Sequence, residues 1–198
     1  MHFLWKHTEC YIFQRQKHLP KLQGKFTRYV IRFSSLEVPT IIEYDKEKHL
    51  YFMNKALEEA EKAFGMQEAP VGAVIVKDNI TISTAHNERE SSCDATRHAE
   101  IIAISKAGKA LGSWNLSNCD MYLTLEPCPM CAGALVQARI RTLYLGAPDP
   151  KAGAAGTLMN IPEDGRLNHK VKVVRGILVD ECSSIMTRFF KNLRKNPN

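Results

Sequence analysis

Two short clusters constrain this chain more than any other feature: His98-Ala-Glu100 and Pro127-Cys-Pro-Met-Cys131. The first opens a helical pattern, and the second lies where an apolar strand-like run gives way to a helix. The Cys128/Cys131 spacing puts both sulfurs on one face of a first helical turn. Amides at a helix N-terminus favour the thiolate, the form that ligates a metal. One imidazole and two thiolates fill three positions of a tetrahedral Zn²⁺ and leave the fourth open for water, the pattern of a catalytic rather than a structural site. Binding there lowers the pKa of that water from about 15.7 toward about 7, so a zinc-bound hydroxide exists at neutral pH. Glu100, two positions after His98, reaches that water and acts as a proton shuttle to a substrate nitrogen. Taken singly, a CxxC also reads as a redox pair or half of a structural zinc site, and an HxE as a surface accident. The two clusters together, in this order and on these elements, point to catalytic zinc.

Composition sets the frame around these clusters. The 198 residues suit one domain with an appendage, and 44% hydrophobic and 24% charged residues are ordinary for a globular chain. No apolar run approaches the roughly 18 residues of a membrane span, so a membrane role is not expected. The six cysteines follow no disulfide framework, which favours a reducing compartment. With three zinc ligands already supplied, Cys10, Cys93, Cys119 and Cys182 read as ordinary thiols.

The net charge of +6 is confined to the first 36 residues, where seven Lys/Arg face Glu9 alone. The other 20 basic and 20 acidic residues cancel, so any nucleic-acid contact of the body rests on local patches. Residues 1–44 show no helical or strand period and form a basic, aromatic-rich extension. Phe3, Trp5, Tyr11, Phe13, Phe26, Tyr29 and Phe33 are interleaved with its cations. The extension reads as a mis-assigned start or a tail, as a transit segment, or as an arm that grips single-stranded RNA. Residues 45–198 read as the catalytic domain.

From Glu43 onward the pattern is regular. Leu50, Met53, Leu57, Ala60 and Phe64 mark an amphipathic helix ending near Gly65. Strands are expected at Ala73–Val76, Ile80–Ala85, Met121–Leu125, Arg141–Gly146 and Val171–Val174, with Gly176–Val179 either extending the last or forming a turn. Helices are expected at His98–Lys109, from Cys128 to about Ala138, and at Asp180–Lys195. The last of these places Ile185, Met186, Phe189, Phe190 and Leu193 on its inner side. Strands alternating with helices of this length give an α/β, three-layer α-β-α fold.

The His-x-Glu and Pro-Cys-x-x-Cys pair resembles that of the zinc nucleobase deaminases. From about Tyr44 to Lys195 the chain resembles the bacterial tRNA-specific adenosine deaminases of the cytidine-deaminase-like superfamily. The resemblance is carried by Met53-Asn-Lys-Ala-Leu57, Pro70-Val-Gly-Ala-Val74, His98-Ala-Glu-Ile101 and the run from Thr124 to Ala134. Asp149-Pro-Lys-Ala-Gly-Ala-Ala-Gly156, Asn168-His169 and the run from Gly176 to Cys182 extend it. It implies a cytidine-deaminase-like fold with a five-stranded mixed sheet, a homodimer with one Zn²⁺ per subunit, and a tRNA anticodon stem-loop as substrate. The implied reaction is hydrolysis of the wobble adenosine to inosine, in the cytoplasm, or in an organelle if the extension is a transit peptide.

The resemblance also implies that Asn87 hydrogen-bonds the flipped-out adenine and that Asp149 and Lys151 touch ribose and phosphate. In the last helix Arg188, Lys191 and Arg194 are placed to neutralise phosphates, with Phe189 or Phe190 stacking on a base. Core packing and helix-dipole complementation explain some of these residues equally well. Three positions depart from the bacterial pattern: Arg97 replaces a small residue, Ala95 a common proline, and Arg188 a frequent acid. Thr-Arg-His-Ala-Glu is similar instead to the eukaryotic relative that works as a catalytic subunit. The alternatives are a guanine or other free nucleobase or nucleotide deaminase with the same zinc core, and a non-catalytic zinc-fold partner, against which Glu100 argues.

Overall fold

A computed structural model describes residues 41–195, with side chains from Asp45 onward. The readings of the extension before residue 41 lie outside the described residues. In chain order the elements are α1 Ile41–Gly65, β1 Gly72–Lys77, β2 Ile80–His86, α2 Ala99–Leu111 and β3 Cys119–Leu125. They continue with α3 Pro129–Gln137, β4 Thr142–Ala147, β5 Lys172–Val174 and α4 Val179–Lys195. The first helix thus reaches four residues into what the sequence reading assigns to the extension. After the last strand Ile177 and Leu178 form a turn and Val179 opens α4, so the Gly176–Val179 segment does not continue the strand.

The five strands form one mixed sheet in the order β2-β1-β3-β4-β5. β1 is antiparallel to both β2 and β3, whereas β3, β4 and β5 run parallel. β2, β3 and β4 therefore point the same way, and the segments that follow them emerge at one end of the sheet. The alternation of side chains along each strand divides the core into two layers. Ala73, Ile75, Met121, Leu123, Leu143 and Leu145 face the cluster built on α2 and α3. Val74, Val76 and Tyr122 face Phe52, Met53 and Ala56 of α1 and Cys182 of α4. This is the three-layer architecture that the alternating pattern calls for.

Both outer helices bury a narrower stripe than their periodicity suggests. On α1 the deepest residues are Phe52, Met53, Ala56, Ala60 and Ala63, with Leu50, Leu57 and Phe64 half-buried at the flanks. The small residues lead because α1 lies close on β1. A Cβ at Gly72 would overlap the Ala56 carbonyl oxygen, so the contact admits only glycine there. On α4, Cys182, Ile185 and Phe189 are buried, but Phe190 and Leu193 are not on the inner side as the sequence suggests. Phe190 lies one residue, roughly 100°, round the helix from Phe189. Leu193 belongs to a final turn that is exposed throughout.

Candidate active site

The site gathers at the end of the sheet where β2, β3 and β4 terminate, the usual place for a ligand crevice in an α/β sheet. His98 is the N-cap of α2 and Cys128 the N-cap of α3, both with extended backbone. Pro129 occupies the first turn of α3, where its fixed φ suits a helix and its missing N–H is not needed. Cys131 follows one turn later and is fully buried. The two helices thus present their N-termini to one point, with one donor group at each start.

His98 Nδ1 lies 3.7 Å from Cys128 Sγ and 3.5 Å from Cys131 Sγ. All three donor atoms lie within 4.8 Å of one another. Tetrahedral Zn²⁺, with Zn–N of about 2.0–2.1 Å and Zn–S of about 2.3 Å, requires an N···S separation of about 3.6 Å. The donor set therefore fits that ion in identity, number and spacing. Hydrogen bonds from Cys131 and His98 hold the Cys128 thiol well below the usual range. Donation to Cys128, together with burial, pushes Cys131 up. The hydrogen bond to Cys128 likewise raises His98. The ligating forms of all three groups are deprotonated, so a bound cation would replace the protons they share here.

Glu100 lies in the first turn of α2 and is 3% exposed. Burial raises its pKa above the ordinary carboxylate value, against the pull of nearby His98. Its Oε2 is buried and has no hydrogen-bond partner among the described residues. An orphaned carboxylate oxygen beside three soft and borderline donors fits a site built for an ion and its water. Asn87, one residue beyond the end of β2, is buried, and its Oδ1 accepts the Ala99 amide at 3.1 Å. That bond ties the end of β2 to the start of α2 through Oδ1 and does not engage the side-chain NH₂.

The loop after β4 carries Asp149 and Lys151. Asp149 Oδ1 accepts the amide of Lys151 at 2.8 Å and of Ala152 at 3.3 Å, so this carboxylate shapes its own turn. The Lys151 ammonium is exposed and sits 5.8 Å from the centre of the Phe190 ring, which links this loop to α4. On α4, Phe189 is 8% exposed and packs edge-on to Phe64 with ring centres 6.0 Å apart, whereas Phe190 is 45% exposed. Phe189 is thus packed largely into the core, and the more exposed aromatic face belongs to Phe190. Arg188 pairs with Glu61 and lies 5.2 Å from the Phe64 ring centre, so it is engaged with α1. Lys191 and Arg194 are exposed. Phe64, Arg89, Phe189, Phe190 and Asn192 help line a groove of about 920 Å³ beside this helix.

Sequence reasoning passed over Glu126. This buried carboxylate accepts the amides of Ala155 at 2.8 Å, Thr157 at 3.0 Å and Asp149 at 3.1 Å, and also the Thr157 hydroxyl. Burial works to raise its pKa, but these bonds, led by Thr157, hold it below the ordinary value. A Cβ at Gly153 would overlap Glu126 Oε2, which explains the glycine in that loop. The signal available was an acid directly before Pro127 and a Gly/Ala-rich loop lacking any other anchor.

Comparison with known proteins agrees with this geometry. The profile of the MafB19-like deaminases matches residues 47–194. The tRNA-specific adenosine deaminase of Bacillus subtilis is 47% identical over 144 residues, 73% of this chain and 89% of that one. Its counterpart in Aquifex aeolicus is 45% identical over 146 residues, 74% of this chain and 96% of that one. A structure solved in a study of A-to-I editing by tRNA:A34 deaminases superposes with a TM-score of 0.66 at 42% identity, covering 68% of this chain and 98% of that chain. The guanine deaminase of Nitrosomonas europaea shares the fold, at a TM-score of 0.61 and 23% identity over 69% of this chain and 81% of that chain. At 45–47% identity over about three quarters of its length, the chain belongs to the MafB19-like deaminase family and to the tRNA-specific adenosine deaminases.

Proposed function

We propose that this protein hydrolyses the wobble adenosine of a tRNA anticodon loop to inosine, with one Zn²⁺ per subunit held by His98, Cys128 and Cys131. The observation that carries this reading is Glu100, a buried carboxylate with one unpartnered oxygen beside a His/Cys/Cys donor set. When bound, Zn²⁺ supplies a polarised water whose pKa falls toward about 7. Glu100 takes a proton from the attacking water and passes it to the purine ring nitrogen. It then carries the second proton to the departing amino group, so that adenosine and water give inosine and ammonia. Its burial, which raises its pKa above the ordinary carboxylate value, suits a group that must both accept and release a proton. Asn87 orients the base through the carboxamide NH₂ that Ala99 leaves free.

An anticodon loop is single-stranded, which lowers the cost of extruding the target base. Exposed Phe190 offers it a stacking face, and Lys151, Lys191 and Arg194 offer cations for its phosphates. Asp149 meets the ribose beside them, and Arg188 adds positive potential from its place on Glu61. The working form is a homodimer. Exposed Met130, Leu158 and Met159 supply an apolar face for a second copy, on segments joined by the 2.8 Å bond from the Ala154 amide to the Pro127 carbonyl. Its place of action is the cytoplasm, where tRNA is available.

The test is a substrate panel: a short anticodon stem-loop with a wobble adenosine, run beside free guanine, cytidine and adenosine. Inosine in the stem-loop alone is the expected result. Ammonia from a free base with the RNA untouched would replace this reading with that of a free-nucleobase deaminase. No turnover on any substrate would make the chain a scaffold.

A further inference from the structure

Arg97 directly precedes His98, and the structure gives it a partner. Residues 87–99 leave β2 and enter α2, and the two ends of this segment hold Asn87 and His98. Three links join the ends. The Ala99 amide donates to Asn87 Oδ1 at 3.1 Å, and the Glu88 amide donates to the Arg97 carbonyl at 3.0 Å. The third is an ion pair between the Arg97 guanidinium and the Glu88 carboxylate. Between the ends the chain closes on itself in tight turns, with Ser92 donating to the Glu88 carbonyl at 3.0 Å and Arg97 to the Asp94 carbonyl at 3.1 Å. Ser91 anchors the loop tip to the buried Glu68 through its amide at 2.7 Å and its hydroxyl at 2.9 Å.

We propose that Arg97 and Glu88 are a positioning pair that locks the neck of the 87–99 loop and so sets Asn87 relative to His98. The inference rests on the roles given above to those two residues. Glu88 follows Asn87 directly and Arg97 precedes His98 directly, so any opening of the pair moves both site residues apart. Without the ion pair the neck is held by two hydrogen bonds, from the Ala99 amide to Asn87 and from the Glu88 amide to Arg97. The ion pair adds a charge-assisted contact between Glu88 and Arg97. Paired in this way, Arg97 is already neutralised by Glu88 and is not a free phosphate contact. Its contribution is therefore to geometry at the reacting base, where a shift of about 1 Å costs on the order of 100-fold in rate.

The experiment compares full-length wild type, Arg97→Ala, Glu88→Ala and the charge-exchanged Glu88→Arg/Arg97→Glu variant. Inosine formation in the stem-loop gives kcat and KM. Amide hydrogen exchange across residues 86–99 is followed on the same zinc-loaded samples, whether or not they turn over. Each single variant is expected to lose about 10-fold in kcat, within the range that sub-ångström misplacement allows, with KM within about twofold of wild type. Exchange at the Glu88 and Ala99 amides rises in both single variants, and the charge exchange recovers most of the kcat. A rise in KM with kcat unchanged for Arg97→Ala alone would make Arg97 an RNA contact and overturn the proposal. So would unchanged exchange at Glu88 and Ala99, or a charge exchange no better than the single variants. If wild type forms no inosine, the substrate reading fails on its own, and the exchange data still decide whether the pair locks the neck.

Discussion

At the scale of single residues the proposed chemistry turns on Glu100. Glu100→Gln keeps the size of the side chain but cannot carry a proton. We expect kcat to fall on the order of 10²- to 10⁴-fold while zinc content and stem-loop affinity are retained, measured by metal analysis and filter binding. Loss of zinc together with activity would make Glu100 a structural residue. The donors and Glu100 were legible in the sequence because the relations within each cluster are local: one residue lies between His98 and Glu100, two lie between Cys128 and Cys131, and helix geometry fixes each cluster. Glu126, Glu68 and the Glu88 partner of Arg97 were not legible. Their partners are loop amides and side chains that only the folded chain brings near, such as Ala155 and Thr157 for Glu126. Phe189 and Phe190 illustrate the same limit, since adjacent aromatics look alike until burial at 8% and exposure at 45% separate them.

At the scale of elements, the loop after β4 is held to the site by a buried anion. Gly153→Ala places a methyl group on the Glu126 carboxylate, and overpacking of this kind costs about 1–3 kcal/mol. A lower urea midpoint with faster amide exchange at 149–157 is the expected result, and unchanged exchange would contradict the anchor. The same carboxylate should make the fold acid-sensitive. Glu126, Glu68 and Glu59 all lie below their ordinary value of 4.5, because hydrogen bonds outweigh the effect of burial. Each therefore adds stability that is fully present above that value and is lost as the pH falls through its folded pKa. Urea midpoints should be level near about pH 6 and fall below about pH 4.5, and Glu126→Gln should flatten that fall. The strands and helices were legible in order and type because apolar period and turn residues agree. The depth of each helix face was not, because it depends on close approaches such as Ala56 on Gly72.

At the scale of the whole molecule, charge and catalysis are separated along the chain. The cationic excess lies in residues 1–36, whereas the site, the groove and the exposed cations of α4 lie in the compact unit that begins at Pro39. Removing residues 1–38 should leave stem-loop turnover within about twofold, since the local patch and not the net charge meets the RNA. A large rise in KM would make the extension an RNA-binding arm. The three-layer sheet brings the ends of β2, β3 and β4 to one place, and only there do His98, Glu100, Asn87, Cys128 and Cys131 meet. The central claim is that this assembly adds water to a purine ring within an anticodon loop. The most direct measurement is a single turnover of the zinc-loaded protein on the stem-loop in heavy-oxygen water, with mass analysis of the wobble nucleoside. Inosine carrying one heavy oxygen is expected with wild type, and unchanged adenosine with Glu100→Gln. A stem-loop left as adenosine by wild type, or inosine without the label, would contradict the claim.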